Sequence, residues 1–568
     1  MDFKPGLILN AIFNDKSLII KNISKAKTSV LERFNELFSD KNILTLSEDT
    51  TNTFTSEKKK ELKNFKNFRI IATSRLNEEI TLSEAILSRF TRIYVENYND
   101  KERKLVLNQK AGNDIDLINE LDPQLTIQEI LYSIKISNYL DNYRKNHKKN
   151  LQLIFYITEY GKLEKDVNSK NIRILLGKKY EIPELKDNEP PFEINYEENK
   201  IISKITELKY DYKNFSIEEI FKNIYFTRKF GEICDLIHFS CSLHIPLILE
   251  GEIGQGKKTA INLMGQFFDL EIIHKVLSKS TKSDELLMNM ILTKTKDNST
   301  KIEYKKTDIS EVLEEKNSKK IIIFDEINNA SLPVLDLLTN IFVDKKVLLP
   351  DGTVLNIGNP NIIGIINRNN NEGLIDRIPL NLKNNCIYHI VENPDGNDFS
   401  NIITKLFCSI DYDKKSKKRY IKNYISNYEF MNKEQEKEIF NDKNKFEEYY
   451  KKAIEHEFKY FSKKFITSLN FIKQNSIEPG FNLIDIKKYI DFRKSVPKIN
   501  KLYLMLFIFV YRFDRPEIQE KMARVLDLKL TDDFNPYIDY DDNQQKLIIS
   551  LGKDKFDNIE LDVINPKK

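Results

Sequence analysis

Residues 245–262 run as an apolar strand segment, Ile245-Pro246-Leu247-Ile248-Leu249, then a glycine-rich turn, a lysine, and a helix opening at Thr259-Ala260-Ile261. A buried strand that feeds a helix through such a turn is the strand–loop–helix unit of a phosphate-binding loop in an α/β sheet. Gly251, Gly254 and Gly256 permit the tight bend that turns backbone N–H groups toward a phosphate chain, with Glu252 in the same loop. Lys257 is placed to reach the β- and γ-phosphates, and the N-terminus of the helix adds its partial positive charge. A Gly-x-x-x-x-Gly-Lys match alone arises by chance in long chains; here the flanking strand and helix give it meaning.

One position departs from the pattern. The residue after the loop lysine is ordinarily Ser or Thr, whose hydroxyl binds Mg²⁺, and this chain has Lys258 there with Thr259 one step later. Successive helix residues point about 100° apart, so Thr259 does not simply inherit that role. It is still the nearest hydroxyl, and Lys258 and Thr259 join the loop residues as candidate contacts to ATP. Phosphate binding survives this change better than hydrolysis does.

Residues 319–326 form a continuous apolar run that ends in Asp325 and Glu326, as a buried parallel strand does when it delivers side chains to the ligand edge of a sheet. Asp325 is the candidate Mg²⁺ ligand together with Thr259, and Glu326 the candidate base that polarises an attacking water. The bland alternative is a strand ending in two solvated carboxylates. The apolar run at 362–366 ends at Asn367, whose amide is placed to orient that water against the γ-phosphate; an ordinary strand-end turn is the alternative.

At 568 residues the chain has room for several domains. Its 31% charged residues nearly balance at a net charge of +4, which gives no argument for a nucleic-acid or membrane partner. Four cysteines without close pairing and six scattered histidines indicate neither a disulfide framework nor a metal cluster. With no signal-like N-terminus, and an apolar run at 502–510 half as long as a bilayer requires, the expectation is a soluble intracellular protein.

An internal repeat organises the rest. Residues 19–38 align without a gap on 323–342, sharing Ile19/Ile323, Ile23/Ile327, Ala26/Ala330, Val30/Val334, Leu31/Leu335 and Phe38/Phe342. In the same order, 68–75 falls on 361–368, 95–97 on 391–393, 125–130 on 481–486, 151–160 on 502–511 and 192–198 on 537–543. Two tandem α/β modules follow, each a parallel sheet flanked by helices and succeeded by a helical lid. The expected boundaries are a partial core without a phosphate loop at 1–100, its lid at 101–177, a Pro-containing linker at 178–215, a full core at 216–400, a lid at 401–530 and a tail at 531–568. The front module lacks its first part, as in a piece of a longer polypeptide or a module that lost its front half. The charged helical stretch 433–471 reads as a helix with a solvated face, with a coiled-coil arm as the alternative.

The loop at 251–259, the strand ending Asp325-Glu326 with the Ile327-Asn328-Asn329-Ala330 that follows, the strand before Asn367 and the stretch 481–490 together resemble the AAA+ P-loop modules of midasin and the dynein-related ATPases. That resemblance implies a ring of six modules, ATP bound between neighbours with Mg²⁺, and mechanical remodelling of a partner, in midasin a ribosomal precursor. A nuclear location follows from the resemblance alone; otherwise nucleus and cytoplasm are both open. A module of the giant AAA+ ligase mysterin shares the architecture, but no Cys/His spacing supports a ligase domain. Leu87-Ser88-Arg89-Phe90 resembles the family's arginine finger, which makes Arg89 a candidate catalytic residue; Asn385 stands at the aligned position of the second module. The front module has Lys21-Asn22 in place of Asp325-Glu326 and Ser74 in place of Asn367, so its site is chemically dead. Ile484 and Gln128 occupy the positions of the family's lid arginine. The second site would then need an arginine from a neighbouring module or partner chain, and its turnover in isolation would be weak or absent. The competing expectation is a scaffold that ATP stabilises without hydrolysis.

Overall fold

The computed structural model describes residues 7–38 in part, 68–74, 82–111 save 97, 125–163, 169–182, 191–211 save 196 and 199, 224–294, 300–368 save 317, 378–408 save 395, 433–475, 482–495 and 501–528. Shorter pieces are described at 44–45, 53–54, 417–418, 421–422, 424–425, 537–541, 546–550 and 558–562. The chain divides into two units, one of residues 1–109 and 348–354, the other of 110–347 and 355–568.

The second unit is built on a parallel sheet of five strands: β1 (Leu247–Gly251), β2 (Glu271–Val276), β3 (Lys320–Asp325), β4 (Asn361–Asn367) and β5 (Ile387–Ile390). Their order is β5-β1-β4-β3-β2, and every pairing is parallel. The central strands are long runs of Ile and Leu because helices cover both faces, and β1 and β4 are buried at every position. The edge strand β2 has only exposed and half-buried residues. Helices α1 (Arg228–Leu243), α2 (Lys257–Phe267) and α3 (Leu332–Thr339) belong to this layer, α1 capped at its start by Thr227 and α3 carrying a proline in its first turn.

Residues 192–211, inside the stretch expected to link two modules, fold as a three-stranded antiparallel meander. A buried polar network ties it to α1: Ser203, Thr206 and Tyr210 all donate hydroxyl hydrogen bonds to the carboxylate of Asp235. Burial pushes that carboxyl up to about 7 against the pull of the three hydroxyls. A second antiparallel meander, 537–541, 546–550 and 558–562, occupies the expected tail.

The helices expected to be a lid for the front module fall, from residue 110 on, in the second unit. The helix His147–Lys162 approaches β5 so closely that a Cβ on Gly161 would lie 2.6 Å from His389 Nδ1, so only glycine fits there. A helical layer follows the sheet. The helix Gly396–Cys408, the 32-residue α4 (Lys443–Gln474) and α5 (Leu483–Ser495) surround a core with Ile403, Phe465, Ile486, Leu506 and Phe509 fully buried. α4 is therefore part of this core and not a free arm. Residues 411–422, where six Lys or Arg suggest a mobile surface loop or, alternatively, a phosphate-facing one, lie largely outside the described residues.

In the first unit the strand Leu18–Ile20 pairs in parallel with Ile70–Ala72, and Ile23, Leu31 and Ile86 form a small core. This pairing corrects the alignment downstream. Ile20 faces Ala72 while Phe324 faces Gly364, so with Ile20 matched to Phe324 the second strand slides by one residue. Ser74 then corresponds to Ile366, and residue 75, outside the described residues, to Asn367.

Candidate nucleotide-binding site

β1 ends at Gly251 and α2 begins at Lys257, so the loop between them opens at the C-terminal edge of the sheet. Gly254 and Gly256 have φ of 92° and 83°, the left-handed region in which a Cβ is strained. Gly256 is the N-cap of α2 and supplies no side-chain hydrogen bond, which leaves the first-turn amides free for an anion. Lys257 is buried, and its Nζ donates to the carbonyls of Gly251 and Glu252, each at 2.8 Å. Burial lowers its pKa to about 8 although Asp325, Glu326 and Glu252 pull the other way.

The loop is pinned from the side. Gln255 Nε2 donates to Asn393 Oδ1 at 2.6 Å, and Asn393 Nδ2 donates to Glu252 Oε1 at 2.8 Å, so the segment just past β5 braces both ends of the turn. From above, α5 begins over the loop: Leu483 and Ile484 come within 3.7 Å of where a Cβ on Gly254 would sit.

β3 and β4 deliver the acids and the amide together. Gly251 is in register with Asn367, so β4 ends beside the loop. Glu326 has φ 59°, and this kink turns its carboxylate toward two amides: Asn367 Nδ2 donates at 2.7 Å and Asn329 Nδ2 at 2.8 Å. Asn328 fixes the end of β4 through the backbone carbonyl of Asn367, 3.1 Å from its Nδ2.

Asp325, 1% exposed, meets no hydroxyl. Its Oδ2 lies 2.5 Å from Lys258 Nζ and 3.0 Å from His274 Nε2 on β2. Thr259, expected to share a metal with Asp325, is exposed and is not among its partners, because it lies one helical step beyond the residue that faces the acid. Phosphate fits the lysine and the uncapped turn. A divalent cation does not fit as the residues stand, since an ammonium occupies the carboxylate that would ligate it.

Arg89 belongs to the first unit, where it follows the short helix Glu84–Leu87, is exposed, and donates to the carbonyl of Ala85. Asn385 donates at 2.8 Å to the carbonyl of Asn381, within its own helix end. Four residues were given no role by the sequence: Gln255, His274, Asn329 and Asn393. Gln255 and Asn329 lay inside motifs and Asn393 was the partner of Asn97 in the repeat, while His274 carried no signal.

A β5-β1-β4-β3-β2 parallel sheet flanked by helices, with a phosphate loop between β1 and α2, is consistent with an AAA+ P-loop module. Residues 246–378 match the family described as an AAA domain of the dynein-related subfamily. No curated protein matches the chain. Among the described residues no helix is long and apolar enough to cross a membrane.

Proposed function

We propose that the second unit binds ATP at the 251–259 loop, in a tandem arrangement of the midasin and dynein-related type. The observation that carries this reading is Lys257 at the mouth of an uncapped helix turn, beside the Glu326–Asn367 pair. The subfamily match over 246–378 supports it. So do the paired features of the two modules: a parallel strand pair followed by a left-handed residue and a 3₁₀ turn, and an antiparallel meander after the helices.

Turnover by the chain alone is weak or absent. The carboxylate of Asp325 is taken by Lys258, Ile484 rather than an arginine faces the loop, and the arginine that neutralises charge on a transferred phosphoryl comes from a neighbouring module or partner chain. Arg89 is that kind of residue, offered by the first unit to a neighbour. ATP-driven remodelling of a large assembly, a pre-ribosomal particle in the case of midasin, is the activity this arrangement serves when the neighbour is supplied. The Lys258–Asp325 pair also favours a second reading, in which ATP holds the module closed as a scaffold.

Titration of the purified chain with a fluorescent ATP analogue tests the binding. Saturable binding that Lys257→Ala abolishes supports the site, and absence of binding in both proteins overturns it. Robust hydrolysis by the isolated chain, lost in Glu326→Gln, would overturn the expectation of weak turnover.

A further inference from the structure

We infer that the ammonium of Lys258 takes the place of the divalent cation, so that this site accepts a nucleoside triphosphate as the metal-free anion, its phosphates held by two lysines. The inference rests on nucleotide binding at the 251–259 loop. It begins with position: Lys258 stands in the first turn of α2, where a metal-bearing site has its hydroxyl, and its Nζ lies 2.5 Å from Asp325. A protonated amine has no lone pair to give a metal. Its charge also repels a dication at the one carboxylate placed to receive it, and that repulsion is strong where the acid is 1% exposed.

Asp325 itself needs no metal. Buried at the end of β3, its charge is met by Lys258 on one side and His274 on the other. Lys258 remains mobile enough to serve a ligand, since its side chain is 52% exposed on a four-carbon stem while Lys257 is buried against the loop carbonyls. Its Nζ carries three donors, so it can stay paired with Asp325 and still offer N–H groups to an incoming phosphate. The alternative hydroxyl, on Thr259, lies on the exposed side of α2.

The test is the affinity of the full chain for a fluorescent ATP analogue, measured in EDTA and in millimolar Mg²⁺. Four proteins are compared: wild type, Lys257→Ala, Lys258→Thr and Lys258→Ser. The expected result is a wild-type Kd that differs by less than about twofold between the buffers, lost in Lys257→Ala, with both Lys258 variants gaining about tenfold or more from Mg²⁺. A wild-type Kd that tightens tenfold or more with Mg²⁺, still lost in Lys257→Ala, overturns the inference and leaves the nucleotide site standing. Metal-independent binding that persists unchanged in both Lys258 variants removes Lys258 from the role. No binding by wild type in either buffer, or binding indifferent to Lys257→Ala, overturns the nucleotide site itself.

Discussion

The turn after Ile20 and the turn after Asp325 share a backbone and differ in chemistry. Asn22 and Glu326 both sit in the left-handed region, at φ 53° and 59°, and each opens a 3₁₀ turn closed by an alanine N–H bonded back to Ile23 or Ile327. At the second turn Glu326 is clasped by two amides and Asp325 by two basic groups; at the first the same positions hold Asn22 and Lys21. A frame set by buried isoleucines persists where the carboxylates are gone. Packing and the charged contacts are thus carried by separate residues of one motif. The helix starts repeat the lesson with the chemistry retained. Glu129 accepts from the backbone N–H of Thr126 and pairs with Lys162, and Asp485 accepts from that of Asn482 and pairs with Arg512 at 2.9 Å.

Removing the frame should cost most. Ile327→Ala and Ile23→Ala each delete a buried side chain, and each is expected to lower unfolding stability by about 3 kcal/mol in denaturant titrations. A negligible loss for Ile23→Ala would mean that the first turn is not held by the same packing. Lys257→Ala comes next, with an expected loss of about 100-fold in affinity for an ATP analogue and little change in melting temperature. No mutation at Lys21 should alter that affinity.

The two capping acids sharpen the comparison further. Glu129→Ala and Asp485→Ala each break an N-terminal box and strand a partly buried cation, so each should cost about 2 kcal/mol. Unequal losses would argue that only one of the two helix starts depends on its box. The smallest effect is in pH. Lys257 must be protonated to hold phosphate, and burial has lowered its pKa to about 8. Affinity should therefore be flat below about pH 7 and fall roughly tenfold between pH 7.5 and 9. An affinity that is constant across this range would remove Lys257 from phosphate contact.

What could be read in the sequence was what local spacing encodes. The glycines of the loop, Lys257 after them and the apolar run before Asp325 are contiguous signals, and they fold where their spacing puts them. The clasp on Glu326 is not contiguous, since Asn367 comes from another strand, yet both residues were legible because each ends a strand of the same sheet. His274 and Asn393 reach the site from elements with no motif of their own. The one-residue slide of Ser74 has a clear cause: short apolar runs such as Ile70–Ala72 fit a longer isoleucine-rich strand in neighbouring registers, and hydrogen-bond pairing decides between them. The meander at 192–211 was hidden for a similar reason. The prolines just before it and its own charges resemble a connector, while the group that anchors it, Asp235, lies in a helix beyond it.

Gly161 gives the second unit a load path. The helix it lies on bears directly on β5, β5 is hydrogen-bonded along its length to β1, and β1 runs into the loop that Asn393, just past β5, also grips. A displacement of that helix would thus reach the loop by two routes, through β5 to β1 at its start and through Asn393 to Gln255 near its end.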